Sequence, residues 1–248
     1  MSTSRLGLLL HRFADRVVAA SSFVASVLAR DYGVESKIVH CGLPDTVFDS
    51  FLLEKPQDAR LRVVSVGRLI PKKGFDVLIR AVGVLESRGI EVDVQIVGAG
   101  PCMAELRQLS SSLGLGSRIE FTGAASRAHV LNLIDDADCL VLASRPSPDG
   151  DIDGIPVVLM EAMARRRLVL STPVGGITEL IEHGVTGLLA EPGDPVSFAD
   201  NLELVASEPG YAACLINRGY SYVSTNFRLS SEVQHLVATF DELRSVDD

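Results

Sequence analysis

Leu61-Arg-Val-Val-Ser-Val-Gly67, followed after one loop by Gly74-Phe-Asp-Val-Leu-Ile-Arg-Ala-Val-Gly-Val-Leu85, is the stretch on which the fold turns. The first seven residues form a β-branched run that stops on glycine and reads as a strand. Phe75, Leu78, Ile79, Val82 and Leu85 then recur at the helical period until Gly89, giving an amphipathic helix with a glycine terminator. Downstream the same strand–helix unit repeats. Val92 to Val97 is the next strand, and Pro101, read as a first helical residue, opens a helix carrying Leu106, Leu109 and Leu113 to Gly114. Ile119 to Thr122, a helix capped by Ser126, and Cys139 to Ala143 continue the pattern. A polar loop, Ser144 to Gly154, leads to a helix opened by Pro156 and running through Met163. Strand Leu168 to Ser171, a short helix Ile177 to Glu182, strand Gly187 to Ala190 and a helix capped by Asp194 complete the series. Residues 58–207 therefore read as one α/β domain, a doubly wound Rossmann-like parallel sheet with its ligand crevice at the carboxyl ends of the strands. Residues 208–248 read as terminal helices.

The front differs. Asp15 to Ala20 and Lys37 to His40 read as strands flanking a helix from Ser22 to Asp31, and Gly42 to Gln57 as a linker without periodicity. Residues 1–57 thus look like a partial βαβ piece from the end of another domain. The 248 residues, 47% hydrophobic, allow one large domain or one and a half ordinary ones. With 23 basic and 32 acidic residues the net charge is −9, which argues against a general nucleic-acid binder. Cys41, Cys102, Cys139 and Cys214 form no C-x-x-C pair and read as buried thiols of a reducing compartment. No apolar run is long enough to span a membrane, and Leu6 to Leu10, cut by His11, Arg12 and Asp15, is too short for a signal peptide. A soluble cytoplasmic protein with at most peripheral membrane association is the expectation.

Three loops carry candidate chemistry. Gly67-Arg-Leu-Ile-Pro-Lys-Lys-Gly74 places a forked cation, Arg68, and a point cation, Lys73, at a strand's carboxyl end, a pair suited to a diphosphate. It is not a Walker loop, because lysine precedes the second glycine, and a solvated basic loop is the plain alternative. Gly98-Ala-Gly100-Pro101 starts like a dinucleotide fingerprint, yet Met103 stands where the third glycine belongs, so a tight turn reads better. In Asp153-Gly-Ile-Pro-Val-Val-Leu-Met-Glu161 two carboxylates bracket a helix start whose free amides at Val157 and Val158 favour an anion. They lie ~7.5 Å apart along the axis. A dipole-complementing acid followed by a surface glutamate fits that spacing equally well.

Together these segments resemble a family. G-R-x-x-x-x-K-G at Gly67 to Gly74, G-x-G-P at Gly98 to Pro101, acid-G-I-P-x-x-x-x-E-A-M-A at Asp153 to Ala164 and G-G-I-x-E-L-I at Gly175 to Ile181 are similar in order and spacing to the retaining GT-B-fold glycosyltransferases of family 4, nearest to exopolysaccharide-type members. The likeness runs on through Gly184 to Asp194 and covers about Asp15 to Leu243. It implies the C-terminal, donor-binding half of a GT-B fold, a nucleotide-sugar as donor substrate, a hexosyl-type transfer with retention to an acceptor hydroxyl, and no cofactor or obligatory metal. Carried over by position, Arg68 and Lys73 hold and stabilise the leaving diphosphate, helped by the Val157 and Val158 amides. Asp153 and the Gly154 backbone face the transferred sugar, Glu161 takes the ribose hydroxyls, and Ile155 and Gly98 line the donor site.

Departures accompany the likeness. Asp153 stands where the family usually has glutamate, and Arg165-Arg-Arg167 replaces small residues with glycine and proline. An acceptor domain with its catalytic histidine is expected ahead of such a domain, whereas His11 and His40 read as structural. The expectation is a fragment or split-enzyme component that binds nucleotides and transfers little alone, partnered by a separate acceptor-domain chain or a second copy. The alternatives are an inactive or regulatory nucleotide-sugar-binding remnant and, less well, an NAD-type oxidoreductase. Val233, Leu236, Val237, Phe240 and Leu243 form an apolar stripe on the last helix, which the family resemblance sends back toward the N-terminal domain.

Overall fold

A computed structural model describes residues 14–48, 60–147 and 150–244. The segment Leu6 to Leu10, His11 and much of the linker expected over Gly42 to Gln57 lie outside the described residues. The leading piece is β1 (Val18–Ala19), α1 (Ser22–Tyr32) and β2 (Lys37–Ile38), with β1 and β2 paired in parallel. Ser21 caps α1 by accepting from the Val24 amide at 3.1 Å, and Gly33 ends it with φ 64.

The main domain contains β3 (Leu61–Val66), α2 (Phe75–Ser87), β4 (Val92–Val97), α3 (Met103–Ser112), β5 (Ile119–Gly123), α4 (Arg127–Asp136), β6 (Cys139–Val141), α5 (Val157–Ala164), β7 (Leu168–Ser171), α6 (Ile177–Leu180) and β8 (Leu188–Leu189). The terminal helices α7 (Pro195–Ser207), α8 (Pro209–Asn226) and α9 (Leu229–Arg244) follow. Six strands form one parallel sheet in the order β5-β4-β3-β6-β7-β8. Successive residues of β3 serve opposite faces: Val63 packs with α2, α3 and α7, while Val64 packs with α4, α5 and α6. A core on both faces explains why the strands read as continuous apolar runs.

Several boundaries move for local reasons. α3 begins at Met103 rather than Pro101; Pro101 and Cys102 form the turn before it, where the Cys102 amide donates to the Leu69 carbonyl at 3.1 Å. Pro156 is the N-cap of α5, not its first residue. α6 stops at Leu180, since Ile181 turns extended. Cys139 is buried, but Cys41 and Cys214 are exposed and Cys102 is intermediate, correcting the expectation of buried thiols. Cys41 sits on a connector, Cys102 at the N-cap of α3 and Cys214 on a face of α8, placements that the cysteine spacing could not reveal.

The leading piece is fastened to the main domain at one point above all. Glu179 of α6 accepts from the amides of Ser22 and Phe23 at 2.8 Å each, closing the first turn of α1. Burial alone would raise its carboxyl, but those amides outweigh it and hold the pKa below the ordinary glutamate range. A carboxylate lowered by folding stabilises fully above its unfolded value near ~4.3 and loses that contribution as pH falls through the lower folded value. Glu179→Ala is expected to cost about 2 kcal/mol at neutral pH, since hydrogen bonds to a charged group are removed. Urea unfolding at pH 7 and below pH 4 checks this: the gap between the two proteins should close in acid. Helix α9 meets the same piece through its polar side, where Glu232 accepts from the His40 amide at 2.7 Å and Lys37 pairs with Glu242. Val233, Val237 and Phe240 are about half exposed.

Candidate active site

β3 and β6 lie side by side while their onward connections run to opposite flanks of the sheet, so a crevice opens at their carboxyl ends. The loop after β3 forms one wall and the loop after β6 the other. Pro71–Lys73 coil into a single 3-10 turn ending at Gly74, φ 65. A Cβ on Gly74 would sit 1.8 Å from the Ala143 carbonyl oxygen, so glycine lets this turn lie against the second loop. Arg145 pins the two together. Its amide donates to the Lys72 carbonyl at 2.8 Å, its Nε to the Pro71 carbonyl at 3.0 Å, and its guanidinium pairs with Asp76 at 3.0 Å.

Gly98 and Gly100 belong to the second βα turn, whereas a dinucleotide fingerprint occupies the first. Cβ atoms there would stand 1.8 Å from the Gly67 oxygen and 2.3 Å from the Leu69 oxygen. Their glycines are thus explained by one loop packing on another, and the NAD reading loses its motif.

The structure brings Lys73 and Asp153 together: Nζ lies 2.8 Å from Oδ2. Lys72, which sequence reading did not single out, lies 2.9 Å from Asp153 Oδ1 and 2.8 Å from Asp151 Oδ2. Neither lysine side chain is more than 16% exposed, so the reading of a solvated basic loop does not hold for them. Burial would raise the Asp153 pKa, but hydrogen bonds from Lys73 and Lys72 outweigh it and hold the carboxyl below its ordinary range. The Lys72 ammonium responds in the opposite sense: burial would lower it, and Asp151 and Asp153 raise it. Arg68, by contrast, is exposed and has no ion pair among the described residues.

Helix α5 starts beside this cluster. Its first bond runs from the Leu159 amide to the Pro156 carbonyl at 3.1 Å, leaving the Val157 and Val158 amides without a backbone acceptor among the described residues. Ile155 and Val158 pack on the core, and Val157 is exposed. Packing demands glycine at 175 and 176, where a Cβ would meet the Asp153 oxygen at 2.2 Å and the Gly154 carbonyl carbon at 2.8 Å. At Gly154 itself a Cβ would find only ordinary contacts of 3.8 Å, so fold packing does not account for that glycine. Glu161 is 6% exposed rather than a surface residue, and Arg127 Nε donates to it at 2.9 Å. The two carboxylates therefore serve different partners.

The three arginines after α5 replace the small residues structurally. Arg165 is bonded to Asp135, Arg167 is buried and donates to the carbonyls of Ile134 and Asp135, and Arg166 takes φ 53 with its guanidinium 3.7 Å from the Tyr220 ring centroid. A left-handed non-glycine residue is strained by ~1–2 kcal/mol. Arg166→Gly is expected to be about 1 kcal/mol more stable than Arg166→Ala in thermal melts, both lacking the Tyr220 stack.

A parallel sheet of six strands in this order, flanked by helices, is the architecture of GT-B glycosyltransferase structures. The glycosyl transferases group 1 family matches residues 60–208, and the chain belongs to that family. Similar proteins include the amylovoran biosynthesis glycosyltransferase AmsK of Erwinia amylovora, 33% identical over 74% of this chain and 45% of that protein. The putative colanic acid biosynthesis glycosyltransferase WcaL of Salmonella typhimurium is 41% identical over 57% of this chain and 35% of its own length. The chain thus spans less than half of either relative. Among solved structures, Anabaena HepE in complex with UDP and glucose superposes with a TM-score of 0.83 at 25% identity, covering 96% of this chain and 66% of that one. The C-terminal domain of the group 1 protein LpcC from Francisella tularensis shares the fold, TM-score 0.65 at 24% identity, over 76% of this chain and all of that one. No helix among the described residues is long and apolar enough to cross a membrane.

Proposed function

We propose that the crevice between β3 and β6 binds the diphosphate of a nucleotide-sugar and that this chain supplies the donor side of a retaining, hexosyl-type glycosyl transfer in the cytoplasm. The observation that carries the reading is that Lys73, on the loop after β3, is only 16% exposed and paired with Asp153, just ahead of the start of α5, at the switch point between β3 and β6. HepE, solved with UDP and glucose, supports a uridine diphosphate as the first probe.

In this reading Arg68 and Lys73 neutralise the diphosphate, with the α5 amides completing the grip. Asp153 and the open backbone at Gly154 and Ile155 face the sugar, Glu161 accepts from the ribose hydroxyls, and Gly98 sets the depth of the crevice. As the bond from anomeric carbon to phosphate oxygen breaks, its electron pair leaves with the diphosphate, where the cations are already in place and need no reorganisation. The acceptor hydroxyl forms the new bond on the face just vacated, and the departing phosphate oxygen takes its proton. The cations carry the charge, and the reading calls for no cofactor. Acceptor contacts come from another domain, another chain or a second copy.

Calorimetric titration of the chain with UDP, GDP and ADP tests the reading. Saturable micromolar binding of at least one of them, ~8 kcal/mol at 1 μM, is expected. Failure of all three to bind would favour an inactive or regulatory module, in which the lysines serve only Asp151 and Asp153.

A further inference from the structure

Two lysines and two aspartates, Lys72, Lys73, Asp151 and Asp153, sum to zero charge in the crevice. An arriving diphosphate breaks that balance, and the two lysines are not equivalent in meeting it. The Lys72 backbone is held by the Arg145 amide, and its Nζ bridges Asp151 and Asp153 across the two loops. Lys73 has one carboxylate partner, Asp153, and stands on the strand-end side of the 3-10 turn, with its methylenes 3.8–3.9 Å from where a Cβ of Gly67 would lie.

We infer that Lys72 is a positioning residue that keeps Asp153 compensated so that Lys73 can be released to the diphosphate: donor binding is an ion-pair exchange in which Asp153 passes from two lysines to one. The inference rests on the proposed donor site. Its physical basis is that Asp153 is only partly exposed, and a desolvated carboxylate holds its last cation far more tightly than one of two. Without Lys72, Asp153 and the diphosphate compete for the single Lys73 ammonium. With Lys72 in place, Lys73 leaves while Asp153 stays paired and is held at a fixed position.

Three features make this more than a loop clasp. The pair spans 79 and 81 residues of sequence, it joins the walls on either side of the switch point, and both Asp153 oxygens are occupied by different lysines. A clasp alone needs only the Lys72–Asp151 contact and predicts no coupling to Asp153.

The test is titration of UDP into the full chain and its variants by calorimetry. Lys72→Met is expected to weaken UDP about tenfold, equivalent to ~1.4 kcal/mol. Lys72→Arg, which retains the charge, should stay within about threefold of the unsubstituted chain. The decisive variant is Lys72→Met with Asp153→Asn, where the competitor for Lys73 is gone and UDP affinity should return. If the Asn substitution fails to restore binding in a double variant whose melting curve is cooperative, the exchange is overturned and Lys72 is a structural clasp. Unchanged UDP affinity in Lys72→Met overturns it too. In both cases UDP binding by the unsubstituted chain leaves the donor-site reading standing, whereas absence of that binding overturns the reading and the exchange together.

Discussion

Lys73→Ala should weaken UDP by about 100-fold, or ~2.7 kcal/mol, with little loss of fold stability. The two parts of that expectation come from the same geometry. Truncating one member of a buried charge pair to a ligand costs about 2–5 kcal/mol, and Lys73 is the point cation best placed to meet the phosphate. Its present partner, Asp153, does not become an orphan in the variant, because Lys72 remains 2.9 Å from Oδ1. Affinity and stability should therefore separate, which a side chain needed only for folding would not allow. The titration and a thermal melt of the same preparation check both halves. Raising salt should shrink the difference between the two proteins, since the long-range part of the attraction is screened within ~8 Å at physiological ionic strength.

The second large effect concerns Glu161. Glu161→Gln is expected to lose UDP affinity by about 10–100-fold, the ~1.5–3 kcal/mol of hydrogen bonds made to a charged group. Inorganic pyrophosphate, which has no ribose, should bind the variant as it binds the parent. That contrast separates a ribose contact from general damage to the site. The Arg127 guanidinium bonded to Glu161 Oε1 at 2.9 Å stays as the counter-ion of this 8% exposed carboxylate, and the ribose hydroxyls are expected on Oε2. Pyrophosphate affinity falling in step with UDP would place Glu161 in the diphosphate grip or in folding instead.

Much of the fold was legible before any coordinate, for reasons visible in particular residues. The strand from Leu61 and the Phe75, Leu78, Ile79, Val82 and Leu85 stripe follow from periodicity, because a doubly wound sheet buries strands on both faces and helices on one. The caps at Ser126 and Asp194 were equally plain, since their side chains accept from the His129 and Val196 amides. What periodicity could not show is which loops meet. Lys72 and Asp153 come together because β6 is added beside β3, a property of strand order that no local pattern encodes. Arg127 on Glu161 was hidden for the same reason. Gly98 shows the opposite case, a motif conspicuous in sequence whose glycines answer to the neighbouring loop.

Arg166 illustrates how a departure from a family pattern is absorbed. The position takes φ 53, which glycine adopts freely, and an arginine there is offset by stacking on Tyr220. The neighbouring Arg165 and Arg167 tie α4 to the same corner.

The most direct test of the donor-site account is a crystal structure of the chain with UDP. The account predicts the diphosphate within hydrogen-bond distance of Lys73 and Arg68 and against the Val157 and Val158 amides, the ribose on Glu161, and Lys72 still on Asp153. UDP seated elsewhere, for instance in the 330 Å³ cavity beside Cys102 and Arg80 between α2 and α3, with Lys73 still on Asp153, would contradict it.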